Sequence, residues 1–198
     1  MTYPRGVARV LFVVDVQNDF TEGGALGVDG GDATAERITR HLRRHADDYD
    51  IVVASRDWHD VTGDNGGHFA SQPDFTTTWP PHCLAGTPGA DYDPGLDTSR
   101  ITHHVKKGQG KPAYSLFEGI TEDGRTVRDL LEEHGVTDVD VTGIATDYCV
   151  RASALDALAA GRRVRVLTDL VAGVNPDTSR RALREIVRAG GTVASSGV

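Results

Sequence analysis

The segment Val10-Leu11-Phe12-Val13-Val14 contains no polar side chain and stops at Asp15. A short run this apolar, made of Val, Leu and Phe, suits a strand buried on both faces, which belongs in the middle of a parallel sheet covered by helices. Its flanks extend the expected strand over 7–16. A helical pattern then covers 33–45, with Ile38 and Leu42 four apart among charges and Asp32 available as its cap. Further strands are expected at 51–55, 101–105, 139–142 and 164–167, and helices at 126–134, 147–160 and 177–189, with Gly135 and Gly161 placed to stop two of them. Strands alternating with helices predict an α/β fold: an open doubly wound (Rossmann-like), mostly parallel sheet with helices on both faces. No internal repeat, low-complexity tract or linker divides the chain, so a single domain over 1–198 is expected.

A formal charge of −8 and a pI near 5.4 work against partners held by phosphate neutralisation, so neither nucleic acid nor an anionic membrane is expected. Val10–Val14 is too short for a signal segment and runs into Asp15, Asn18 and Asp19. Two cysteines far apart in the chain give no disulfide framework and point to the cytoplasm. The helix faces offer no argument for an interface, and a homo-oligomer stays open.

In open α/β sheets, ligands sit beyond the carboxyl ends of the strands, so the residues just after strands carry the interest. Asp15 directly follows the most buried expected strand, where a carboxylate is costly unless paired. Cys149, in Gly143-Ile144-Ala145-Thr146-Asp147-Tyr148-Cys149-Val150, falls where a strand gives way to a helix. Helix N–H groups there favour a thiolate and can hold an oxyanion, although a buried structural thiol remains the commoner fate of a cytosolic cysteine. Cys83, in irregular chain, reads as structural. Lys106, Lys107 and Lys111 follow the middle strand, either as a solvated cluster or as a counter-ion for Asp15 and a thiolate. Between 56 and 100 the chain shows no helix or strand period, unusual length for a loop unless it covers a site. It contains Asp57, His59, His68 and His82, a donor set suited to Zn²⁺, Mn²⁺ or Fe²⁺, against the bland alternative of an exposed His-rich loop. His41, His45, His103, His104 and His134 read as ordinary residues on polar helix faces or beside lysines.

In Val14-Asp15-Val16-Gln17-Asn18-Asp19-Phe20, Asp57-Trp58-His59, Trp79-Pro80-Pro81-His82-Cys83, Gly86-Thr87-Pro88-Gly89-Ala90 and the Cys149 segment, the chain resembles the nicotinamidase/pyrazinamidase group of the isochorismatase-like cysteine hydrolases. The resemblance spans nearly the whole chain, and the Asp-Trp-His and Trp-Pro-Pro-His segments are its specific part. It implies hydrolysis of nicotinamide, and of pyrazinamide, to the acid and ammonia through a Cys149 thioester. Asp15, a lysine and Cys149 become the catalytic triad, with Asp57, His59, His68 and His82 holding the divalent metal. Counting back from Ala113-Tyr114-Ser115 selects Lys107. A cis peptide joining Ile144 to Ala145 is implied, aiming the N–H groups of Ala145 and Cys149 at the oxyanion. Phe20, Trp79, Ile144 and Ala145 are implied to bind the substrate.

Two other readings compete. One is a metal-free relative acting on another small amide; the other is a metal-binding or redox-sensing protein in which Cys149 is oxidised reversibly. Dinucleotide binding is set aside, because no Gly-x-Gly-x-x-Gly turn follows the first strand.

Overall fold

The computed structural model describes residues 7–197. Six parallel strands form one sheet, β1 Ala8–Val14, β2 Ile51–Asp57, β3 His103–Lys107, β4 Val136–Ile144, β5 Arg163–Ala172 and β6 Thr192–Ala194, in the order β3-β2-β1-β4-β5-β6. The helices are α1 Gly31–His45, α2 Val127–Glu133, α3 Arg151–Ala159 and α4 Pro176–Arg188. This is the expected doubly wound sheet. Val10, Phe12 and Val14 pack with Val139 and Val141 among side chains of α2, α3 and α4, while Leu11 and Val13 meet Ile38 and Leu42 of α1. All five residues of the opening run are completely buried, and burial of each such side chain stabilises the fold by about 2 kcal/mol.

Several boundaries differ from expectation. β2 continues to Asp57 and β3 is shifted to His103–Lys107, because Arg56 pairs in register with Lys106 and Asp57 with Lys107. Asp32 does not cap α1. The cap is Gly30 in the left-handed region, and Glu22 reaches in from the preceding loop to accept from the N–H groups of Gly30 and Asp32, each at 2.7 Å. The helix expected over 147–160 is a π-helical turn, Thr146–Val150, leading into α3. β6 was not anticipated.

His41 is a further correction. It is 4% exposed rather than on a polar face. Its Nε2 lies 2.9 Å from the Tyr49 hydroxyl, which itself donates to Asp140 Oδ2 at 2.9 Å. With the phenol proton committed to Asp140, His41 donates through Nε2, and its buried Nδ1 has no partner. Burial, and next the neighbouring His45, lower the His41 pKa to about 4.

Candidate active site

Four neighbouring strands each deliver one reactive side chain at their carboxyl ends: Lys107 from β3, Asp57 from β2, Asp15 just beyond β1 and Cys149 just beyond β4. The carboxyl ends of β1 and β4 approach closely at Gly143, which pairs with Val14; the Gly143 φ of 112° is open to glycine, and a Cβ there, if present, would stand 2.1 Å from the Val14 carbonyl oxygen. Asp15 itself adopts a φ of 47°, a left-handed conformation that costs a residue with a side chain of order 1 kcal/mol and is held by its surroundings.

Lys107 is fully buried between two carboxylates, its Nζ 2.9 Å from Asp15 Oδ2 and 2.5 Å from Asp57 Oδ1, with the Cys149 sulfur at 3.7 Å. Lys106 instead lies over the Trp58 ring, 4.2 Å from its centroid. Burial disfavours the Lys107 ammonium, but Asp15, Asp57 and Cys149 outweigh it and raise its pKa well above the usual value. Burial pushes Asp15 up despite Lys107, and Ser55 donates to its Oδ1 at 2.6 Å. Burial works to raise Asp57 as well, yet Lys107 and His59 hold it below the carboxylate range. The Cys149 thiol is pushed well up, chiefly by burial and only partly countered by Lys107. A resting thiolate, expected from the helix end, is therefore not what this environment favours. The cysteine rests as a thiol beside a carboxylate able to take its proton.

His59, His68 and His82 each offer a ring nitrogen, all within 4.8 Å of one another and buried. Asp57 Oδ2 faces them, 3.7 Å from His59 Nε2 and 3.8 Å from His82 Nε2. The residues fit a divalent metal on a test independent of their type. His59 Nδ1 meets the Gly108 carbonyl at 2.8 Å and His82 Nδ1 meets that of Pro80 at 2.8 Å, which leaves each Nε2 as a lone-pair donor. His59 Nε2 and His68 Nδ1 are buried without a hydrogen-bond partner, a costly state that an ion resolves. Gly108 (φ 84°) lets the carbonyl approach, since a Cβ there would lie 2.6 Å from His59 Cε1. Burial first, then His59 and His82, lowers the His68 pKa to about 4, so its ring is neutral at ordinary pH.

Above these groups is a cavity of about 270 Å³, lined by Phe20, Trp79, Tyr114, Tyr148, Ile144 and Ala145, with Asp57, His68, His82 and Cys149 also reaching it. The Ile144–Ala145 peptide is cis. Trp79 Nε1 donates to the Tyr114 hydroxyl at 3.0 Å, and Tyr148 lies edge to face with Trp79 at 5.3 Å. Four carboxylates hold the rim by turning inward to backbone N–H groups. Asp74 accepts from Thr76, Thr77 and Thr78, beside Phe75; Asp19 from Ala25 and Cys83; Glu22 from Gly30 and Asp32; and Asp147 from Val174 and Asn175.

Phe20, Asp57, His68, Trp79, His82, Ile144, Ala145 and Cys149 thus line one cavity, with Asp15, Lys107 and His59 packed against them, while Lys106 lies apart over Trp58. Against known proteins, the Isochorismatase domain matches residues 9–197. The chain belongs to the isochorismatase domain family. Within reach of this family assignment, a nicotinamidase/pyrazinamidase of Mycobacterium tuberculosis is 52% identical over 178 residues, covering 90% of this chain and 94% of its own. The solved pyrazinamidase of Pyrococcus horikoshii in complex with zinc superposes with a TM-score of 0.79 at 36% identity, covering 94% of this chain and 98% of its own. PnC1 from L. infantum in complex with nicotinate gives a TM-score of 0.81 at 32% identity, covering 96% and 93%. Of the two solved relatives, one is thus seen with zinc and the other with a small-molecule ligand, and the three buried histidines of this chain form a group able to hold a divalent metal.

Sequence reasoning overlooked several residues that build the family site here. Gln17 is fully buried and clamps β2, its amide donating to the carbonyls of Asp57 and Ala90 and accepting from the Asp57 N–H at 2.8 Å. Its place after an apolar run was a usable signal, the same one that marked Asp15. Tyr114 and Tyr148 stand inside the quoted segments, but a lone tyrosine in a loop or turn carries no periodicity to reveal a wall.

Proposed function

We propose that this protein is a metal-assisted cysteine amidohydrolase that converts nicotinamide to nicotinate and ammonia, and pyrazinamide to pyrazinoate. The carrying observation is Lys107 buried between Asp15 and Asp57 with the Cys149 sulfur 3.7 Å from its Nζ, at the floor of an aromatic-walled cavity flanked by three histidines. Asp15 takes the Cys149 proton, while the Lys107 ammonium and the N–H end of the following helix oppose the charge that forms. The sulfur bonds to the carboxamide carbon, and the oxygen, now an anion, is met by the N–H groups of Ala145 and Cys149. Asp15 returns its proton to the amide nitrogen, the C–N bond breaks and ammonia leaves a thioester. Asp15 then deprotonates a water that attacks the thioester carbon, releasing nicotinate and restoring the thiol. A divalent metal held by Asp57, His59, His68 and His82 supplies Lewis acidity toward a ring nitrogen, which orients and polarises the substrate. Phe20 and Trp79 flank the ring and Ile144 and Ala145 contact the carboxamide end.

This reading treats 1–198 as one functional unit and places it in the cytoplasm. Two unpaired thiols support that placement, and among the described residues no helix is long and apolar enough to cross a membrane. The test is ammonia release from nicotinamide by the purified protein, beside Cys149→Ala and a chelated sample restored with Zn²⁺, Mn²⁺ or Fe²⁺. Turnover lost in the variant and on chelation, and regained with metal, is the expected result. Absence of turnover by metal-loaded wild type would refute the substrate and favour a relative acting on another small amide.

A further inference from the structure

The two carboxylate oxygens of Asp15 are not equivalent. Oδ1 accepts from the Ser55 hydroxyl at 2.6 Å. Oδ2 lies 2.9 Å from Lys107 Nζ, within ion-pair distance, yet it is buried without a hydrogen-bond partner. The cause is the direction of the ammonium. Its three N–H donors are engaged by Asp57 Oδ1 at 2.5 Å, the Ala113 carbonyl at 3.4 Å and the Cys149 sulfur at 3.7 Å. Lys107 therefore attracts Oδ2 by charge and leaves its lone pair open, on the oxygen that shares the ammonium with the sulfur.

Ser55 is out of keeping with its own strand. Ile51 and Val53 occupy the alternate positions before it on β2 and pack with Val105 of β3, the residue paired with Ser55, so that face would suit a third apolar side chain. Ser55 is completely buried there. A hydroxyl so placed is costly unless it is hydrogen-bonded, and the bond to Asp15 offsets that cost. That bond also holds the carboxylate against rotation about its last torsion, which is otherwise soft. We propose that Ser55 is a positioning residue for the amide hydrolysis assigned to this site, on which the inference rests: by filling Oδ1, its hydroxyl commits the Cys149 proton to Asp15 Oδ2. The S–H bond breaks as an O–H bond forms at Oδ2, and the same proton later passes from Oδ2 to the amide nitrogen. Ser55 keeps its own proton throughout and does not line the cavity, so it acts only through Asp15. Without the hydroxyl, the carboxyl group turns and the proton settles on Oδ1 as well, the oxygen away from the ammonium.

The test compares Ser55→Thr with Ser55→Val, which match in bulk and differ in the hydroxyl, in full-length zinc-loaded protein of verified metal content and melting temperature. The threonine variant should retain kcat for ammonia release from nicotinamide to within about threefold, while the valine variant should lose about 10- to 100-fold in kcat with KM within about twofold of wild type. Ser55→Ala, which adds no bulk to the core, should behave as the valine variant does. Alkylation of Cys149 by iodoacetamide needs the thiol proton removed but no amide substrate, and it should slow in the same two variants. Equal kcat with and without the hydroxyl, or a loss carried by KM, would overturn the proposal. Wild type that releases no ammonia would refute the reaction instead, and the alkylation rates would then decide the role of Ser55: equal rates in the threonine, valine and alanine variants overturn it.

Discussion

Replacing His41 with Gln should flatten the dependence of stability on acid, and the size of the effect follows from its surroundings. In the folded chain the ring is neutral, donating to Tyr49 with a buried, unpartnered Nδ1, and its pKa is lowered from 6.5 to about 4. The unfolded chain therefore takes up a proton near pH 6.5 that the folded chain refuses until about 4, so stability is fully present above this window and falls as the pH drops through it. A difference of about 2.5 units corresponds to roughly 3 kcal/mol at the limit and to about 2 kcal/mol by about pH 5. For a chain of this size that is a drop in Tm of roughly 4–8 °C between about pH 8 and about pH 5. Urea and thermal unfolding of wild type and His41→Gln at both pH values isolate the term, because any cost of the substitution itself is a constant offset. Identical pH dependence in the two proteins would refute the reasoning.

Lys107→Met should leave Asp15 and Asp57 facing each other in the interior without a cation, lowering stability by about 3–5 kcal/mol and abolishing ammonia release. Adding Asp15→Asn should recover part of the stability, measured by urea unfolding, and none of the turnover. Gly108→Ala should displace the carbonyl that orients His59 and weaken zinc affinity about 10- to 100-fold, read by competition with a chelating dye; unchanged affinity contradicts the role given to that carbonyl. Gly143→Ala should prevent β1 and β4 from closing at their carboxyl ends, since its Cβ would stand 2.1 Å from the Val14 oxygen. A wild-type melting curve for that variant would be incompatible with the structure.

The sheet and the groups around the cavity were legible in the sequence because both leave a periodic or positional trace. Val10–Val14 announced a central strand, and Asp15, Asp57, Lys107 and Cys149 stand where strands end. What escaped depends on partners far along the chain. Asp138 and Asp140 disguise the first half of β4, because two carboxylates discourage a strand assignment until Arg163 and Arg165 are known to lie beside them. His41 repeats at helical spacing among charged neighbours, and only the arrival of Tyr49 and Asp140 shows that it is interior. Glu22 and Gln17 serve backbone groups of other segments, a role with no local signature. β6 is a three-residue edge strand too short to generate a pattern.

The inward-turned carboxylates at the rim have a kinetic consequence. Loops fastened through their own amides at Thr76–Thr78, Ala25, Gly30, Asp32, Val174 and Asn175 form a standing aperture rather than a swinging door. Those amides should exchange with deuterium far more slowly than exposed loop amides do, and a small neutral ring should enter at a rate set by diffusion and the width of the opening. Substrates then compete through how they fit after entry, and not through waiting for the protein to let them in.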